Sequence, residues 1–172
     1  MTTGTVNTKK APRRELRLGS LKEISADLDR IQGAHDAGTL TTTGNWSAGQ
    51  ILSHVAILME CAVDGFPDHK PPLFVRVICK TIIKPKALRG DLPPAGIQLP
   101  EKASYLIPPQ GTTFEEGMAR LRRIIGRIDS GERFTHDSPV FGKLTHEQWE
   151  TLQGGHASLH LGFIDLGGGV DG

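Results

Sequence analysis

Residues 47–62 read SAGQILSHVAILMECA, and two features of that stretch make a helix the expected structure. Ser47 is followed three positions later by Gln50, the spacing at which a hydroxyl caps a first-turn N–H while the amide side chain reaches back to the cap residue. Ile51, Val55, Leu58 and Ala62 then recur at helical spacing and give the run one apolar face. Gly-Phe-Pro at 65–67 ends it, since proline cannot continue the hydrogen-bond ladder.

The same signature recurs on both sides. Ser20 with Glu23 opens a run in which Leu21, Ile24, Leu28 and Ile31 share a face, ending near Gly33. Thr112 with Glu115, or Thr113 with Glu116, opens another that carries Phe114, Met118, Leu121, Ile124, Ile125 and Ile128 as far as Gly131. Thr145 with Gln148 opens the fourth, where Trp149, Leu152, Gln153, Leu159 and Phe163 lie near one face and GGG after Leu166 releases the chain. Four capped amphipathic runs predict an all-α protein built as a four-helix bundle.

Residues 65–111, between the second and third runs, hold nine of the eleven prolines and interrupt any regular extension of either neighbour. Within them LFVRVICKTIIK, residues 73–84, sets Arg76, Lys80 and Lys84 at i, i+4, i+8 and Leu73, Val77, Ile78, Thr81 and Ile82 on the other side, which predicts a short extra helix. The stretch 85–111 shows no helical period. Its apolar Leu92, Ile97, Leu99, Tyr105 and Ile107 predict an ordered loop over the bundle, bordering the functional site with Tyr105 and Ile107 at the cavity.

Length and composition bound the partners. A chain of 172 residues, 37% hydrophobic, suits one globular domain over residues 15–166, with flexible tails at 1–14 and 167–172. A formal net charge of +1 supplies no global attraction to nucleic acid or an anionic membrane, so neither is expected as a partner. Cys61 and Cys79 form no CxxC pair and read as free thiols of a reducing compartment. With no signal-like segment and no run approaching about 20 apolar residues, a cytoplasmic location is expected.

The histidines carry the chemistry. In GGHASLH, residues 154–160, His156 and His160 stand one helical turn apart. Steps of four and three from Trp149 through Gln153 to His156, His160 and Phe163 put both on the inward stripe. His54 lies three residues after Ile51 and four before Leu58, again on an apolar face. Buried neutral imidazoles need partners. A divalent ion is one kind, and a backbone carbonyl or carboxylate is another; spacing leaves both open. HASLH has no glutamate after its first histidine, so the zincin signature is absent. His35, His69, His136 and His146 read as surface residues. Cys61, two turns beyond His54, reads as a core thiol rather than a fourth ligand. Arg120, Arg123 and Arg127, with Lys80 and Lys84, form either a solvated face or a site for an anionic cofactor.

Four motifs, GNWSAGQILSHVA at 44–56, DGFP at 64–67, SPVFGKLTHEQW at 138–149 and GHASLHLGF at 155–163, together with the helix order, resemble the DinB-like superfamily of metalloproteins. Within it the chain is similar to a bacterial family described only as a domain of unknown function, and the resemblance spans most of residues 15–165. It implies an up-down-down-up four-helix bundle with a long link between helices two and three. It also implies a divalent metal (Zn, Ni, Fe or Mn) on His54, His156 and His160. Relatives include enzymes that open electrophiles with low-molecular-weight thiols and a maleylpyruvate isomerase with a thiol cofactor, while others have no known activity. The expected function is a metal-dependent, thiol-using S-transferase acting on a small-molecule substrate. A metal-dependent hydrolase is the enzymatic alternative, and a non-catalytic metal-binding bundle that forms a homodimer is the other. Asp64 and Asp165 near helix ends, and Glu60 off the face of His54, leave no general base beside the histidines, which favours a thiol over water.

Overall fold

The computed structural model describes residues 6–67, 71–89 and 101–167. Among the described residues six α-helices carry the fold: α1 (Leu21–Asp36), α2 (Ala48–Asp64), α3 (Leu73–Ile78), α4 (Lys84–Ala87), α5 (Phe114–Asp129) and α6 (His146–Leu161). A 3-10 turn spans Glu101–Leu106, and two short strands, β1 (Thr41–Thr42) and β2 (Ile164–Asp165), pair antiparallel. The fold class is all-α with little strand.

The helix starts lie where the sequence predicts them. Complete capping boxes form at Ser47 with Gln50, Thr113 with Glu116 and Thr145 with Gln148. At α5 the working pair is Thr113 with Glu116, while the Thr112 hydroxyl donates instead to the Pro109 carbonyl at 2.7 Å. Ser20 caps α1 by accepting from the Glu23 N–H, and the Glu23 carboxylate accepts from the N–H of Gly19 at 2.6 Å.

Helices α1 and α2 each pack against both α5 and α6. Ile24, Leu28 and Ile31 of α1, Leu52, Val55 and Met59 of α2, Leu121 and Ile124 of α5 and Leu161 of α6 are within 1% of complete burial. Contacts of this kind supply most of the favourable free energy of a helical domain. The first turns of α2 and α5 approach each other closely. A Cβ on Gly49 would collide with the Thr113 carbonyl, and one on Gly117 with the Gly49 carbonyl, so both positions need glycine for lack of space.

Three ends differ from the sequence expectation. Helix α1 passes Gly33 and stops only after Asp36, because Ala34 still buries on the core and Gly38, with φ of 69°, makes the left-handed turn. Helix α6 stops at Leu161 rather than near Leu166. Arg14 takes the carbonyls that a longer helix would use: its N–H bonds Gly162 at 2.8 Å and its guanidinium bonds Leu161 at 3.1 Å. Ile164 and Asp165 then pair with Thr42 and Thr41. The predicted extra helix over 73–84 is split, with a π turn at Cys79–Ile83 ahead of Pro85. Pro85 has no N–H to give the Thr81 carbonyl, and the backbone widens just before it.

From Val6 onward the N-terminal segment is hydrogen-bonded to the rest of the domain. Val6 exchanges hydrogen bonds with the Asn45 side chain, and the Thr43 hydroxyl donates to the Pro12 carbonyl at 2.6 Å. Arg14 forms a bidentate pair with Asp27 at 2.8 and 2.9 Å, with the Asp27 side chain only 1% exposed. A buried carboxylate is costly unless paired in this way, so the strap and α1 are energetically coupled.

Candidate metal centre

Helices α2 and α6 bring three imidazoles together. One ring nitrogen from each of His54, His156 and His160 lies within 4.8 Å of the others. The ring centroids are 4.9 Å apart for His54 and His156, 4.4 Å for His54 and His160, and 4.6 Å for His156 and His160. The sequence-predicted set therefore converges without exception.

Two features prepare these rings to donate lone pairs. The Nδ1 of His54 lies 2.7 Å from the carbonyl of Leu106. A carbonyl only accepts, so Nδ1 carries the proton and Nε2 is left bare, the orienting contact usual for a metal-bound histidine. Burial also disfavours the imidazolium. It lowers the pKa of His54, against a smaller opposing effect of the Leu106 bond. It lowers His156 well below the ordinary value, assisted by the other two rings, and takes His160 down to about 3, assisted by His54. All three are neutral at physiological pH.

The bare Nε2 of His54 faces the Nε2 of His156 at 3.1 Å. Two arrangements satisfy that distance: His156 donates an N–H to His54, or both lone pairs face one cation. Nitrogen ligands of a tetrahedral zinc, with Zn–N of about 2.0–2.1 Å, lie about 3.3 Å apart, so the observed spacing suits a shared ion. Three neutral imidazoles are also a donor set that zinc, nickel and iron accept. The Nδ1 of His156 is buried with no hydrogen-bond partner among the described residues. The set fits a divalent metal ion.

Trp46 walls the cluster. Its ring centroid is 4.8 Å from that of His54 and 6.0 Å from that of His160. It stands immediately before the cap Ser47, where an apolar residue often packs back on its own helix. That position, directly before a capping box, is the signal the sequence holds for it. The connection between α2 and α5 also reaches the site, through the Leu106 carbonyl. Of its expected cavity residues, Ile107 is 49% exposed, and the contact shown is backbone rather than side chain. Leu92, Ile97 and Leu99 lie outside the described residues.

The other described histidines stand apart from the cluster. His35 stacks on Phe114 at 3.7 Å, His146 accepts from the Phe134 N–H at 3.1 Å, and His136 is exposed; His69 lies outside the described residues. Cys61 is half-buried and outside the triad, its thiol pushed up to about 11 chiefly by desolvation and next by the Glu60 charge. The basic side of α5 does not assemble into one anion site. Arg120 chelates Glu60 and donates to Ser53, whereas Arg127 pairs with Asp64 and Glu132. Arg120 and Arg123 line a groove of about 730 Å³ that none of the three histidines borders.

Residues 10–166 match the family model described as "Protein of unknown function (DUF1569)". The chain belongs to the DUF1569 family. No curated protein and no solved structure matches it. The match takes in α1 through β2, and so the whole triad of this DUF1569 chain lies inside it.

Proposed function

We propose that this protein is a metal-dependent S-transferase of DinB-like type, using a low-molecular-weight thiol against a small electrophilic substrate, with His54, His156 and His160 as the metal ligands. The observation that carries the reading is the convergence of three neutral imidazoles, one of them locked by Leu106 into the tautomer that frees its Nε2. Contact pairs support an up-down-down-up bundle. Gly49 beside Thr113 and Asp64 bonded to Arg127 run α2 and α5 in one direction, and His35 on Phe114 sets α1 against α5. His54 beside His156 and Phe66 on Trp149 set α6 against α2.

A divalent ion on this triad would acidify a thiol or a water held beside it. The chain's own contribution is preparation. Burial keeps the three rings unprotonated, the Leu106 carbonyl orients His54, and Trp46 keeps bulk water from two of the rings. In the transfer itself the sulfur bonds to an electrophilic carbon, the leaving group departs with the bonding pair, and the thiol proton is released to solvent. A water nucleophile would need a base. The cluster contains no carboxylate among the described residues, which favours the thiol over hydrolysis.

The test is elemental analysis of protein purified without chelator, together with transfer of small thiols to chlorodinitrobenzene. One metal per chain and metal-dependent turnover are expected, both lost in His160→Ala. A wild type that binds no zinc, nickel, iron or manganese at micromolar concentration would leave the pair of histidines as a plain hydrogen bond and end the proposal.

A further inference from the structure

The near-zero net charge averages over a strongly polarised segment. Residues 71–89 contain Arg76, Lys80, Lys84, Lys86 and Arg89 and no aspartate or glutamate. Among the described residues none of the five enters an ion pair. The same segment exposes Leu73 by 72%, Phe74 by 68%, Val77 by 51%, Ile78 by 46% and Ile82 by 54%. Five large apolar side chains beside five cations is an arrangement that water alone does not stabilise.

The segment is held with its apolar side outward. The Lys80 side chain lies over Gly142, and Lys84 Nζ donates to the Lys143 carbonyl at 2.7 Å. Ala87 is buried and Leu88 packs on the core, which anchors the C-terminal end.

We propose that residues 73–89 dock this protein on an anionic lipid surface, the helical segment lying in the plane of the headgroups. An apolar face sinks to the acyl boundary while cations engage negative headgroups, and the two contributions add. No helix among the described residues is long and apolar enough to cross a membrane, so the segment lies on the surface rather than spanning it. A protein partner would need a matching acidic groove. An anionic bilayer offers apolar depth and negative charge without any shape requirement, which suits a convex helix face. The expectation of no membrane partner rests on net charge, and the proposal departs from it on the local separation of charge and apolar surface over residues 73–84. The proposal is independent of the metal chemistry.

Co-sedimentation of the full chain with vesicles tests it, using phosphatidylcholine alone against an equal mixture with phosphatidylserine. The chain should pellet with the mixed vesicles, stay in the supernatant with phosphatidylcholine, and dissociate as salt is raised. Lys86→Glu with Arg89→Glu should weaken partitioning by at least about twenty-five-fold, at about fivefold per cation lost. Phe74→Ser with Ile78→Ser should weaken it too, while thermal melts stay unchanged because all four side chains are exposed. Failure of the wild type to bind mixed vesicles overturns the proposal, as does equal binding to phosphatidylcholine alone. So does a result in which the apolar variants only convert a dimer to a monomer, since the face would then belong to a second copy of the chain.

Discussion

Helices α5 and α6 are each 16 residues long and begin on equivalent threonine capping boxes, yet their inward faces are of different kinds. In α5 the buried positions are Gly117 at the α2 crossing and then Met118, Leu121, Ile124, Ile125 and Ile128. In α6 the inward side mixes the apolar Trp149, Leu152, Ala157 and Leu161 with Gln153, Gly154, His156 and His160. One helix is specified for packing. The other gives up apolar contact to carry the site. Its neighbour α2 resolves the same conflict differently, with a face aliphatic enough to bury His54 almost completely.

Truncating the aliphatic face should have the largest effect. Leu121→Ala, at a side chain with no exposure, is expected to cost about 2–5 kcal/mol in urea denaturation, from lost transfer energy plus the cavity left behind. A cost below about 1 kcal/mol would mean that α5 is not the packing helix of the pair.

Helix α6 should respond to metal instead. Zinc at about a hundredfold over its dissociation constant is expected to stabilise the wild type by about 2.7 kcal/mol, and chelator should remove that gain without abolishing the cooperative transition. His160→Ala should show little of the metal response and only a modest change in its own stability. Melts with zinc and with chelator, run on both proteins, separate the outcomes. Complete unfolding of the wild type in chelator would show the ion to be structural and would contradict the enzymatic reading.

The contrast also explains what could be read from the sequence. The caps were legible because a hydroxyl and a carboxamide or carboxylate three residues apart serve backbone groups in their own turn. The histidine triad was legible because His54, His156 and His160 occupy stripe positions, where a polar side chain demands a partner. Asp27 is a signal of the same kind, one turn after Ile24 and before Ile31, and the structure answers it with Arg14. The Leu106 carbonyl was not legible at all, since every residue has a carbonyl and only tertiary structure delivers this one to His54. The end of α6 was hidden for a similar reason, being set by Arg14 nearly 150 positions earlier, as the Arg14 to Leu161 bond spans 147 residues.

A smaller effect is expected at Gln153. Its Nε2 makes one long bond, 3.3 Å, to the Leu58 carbonyl, and its buried Oε1 has no partner among the described residues. Gln153→Leu removes an unsatisfied acceptor and adds apolar contact, so stability should stay level or rise by about 1 kcal/mol. A loss of more than about 1 kcal/mol in denaturant titrations would show that the Oε1 has a partner, such as a buried water.

The finest test concerns the one feature the two helices share. Thr113→Ala and Thr145→Ala each delete a hydroxyl that accepts from the N–H three residues on, at 3.2 Å in both helices. Each also leaves the reciprocal bond, from the cap N–H to the Glu116 or Gln148 side-chain oxygen, without its counterpart. Losing such a cap costs about 1 kcal/mol, and identical local geometry predicts equal costs whatever the rest of the helix faces. If Thr145→Ala costs clearly more in parallel denaturation curves, the polar interior of α6 has made that helix depend on its cap, and the two helices differ in cooperativity as well as in composition. If the costs agree, initiation and face are separable, and the site-bearing helix is started by the same local chemistry as the packing helix.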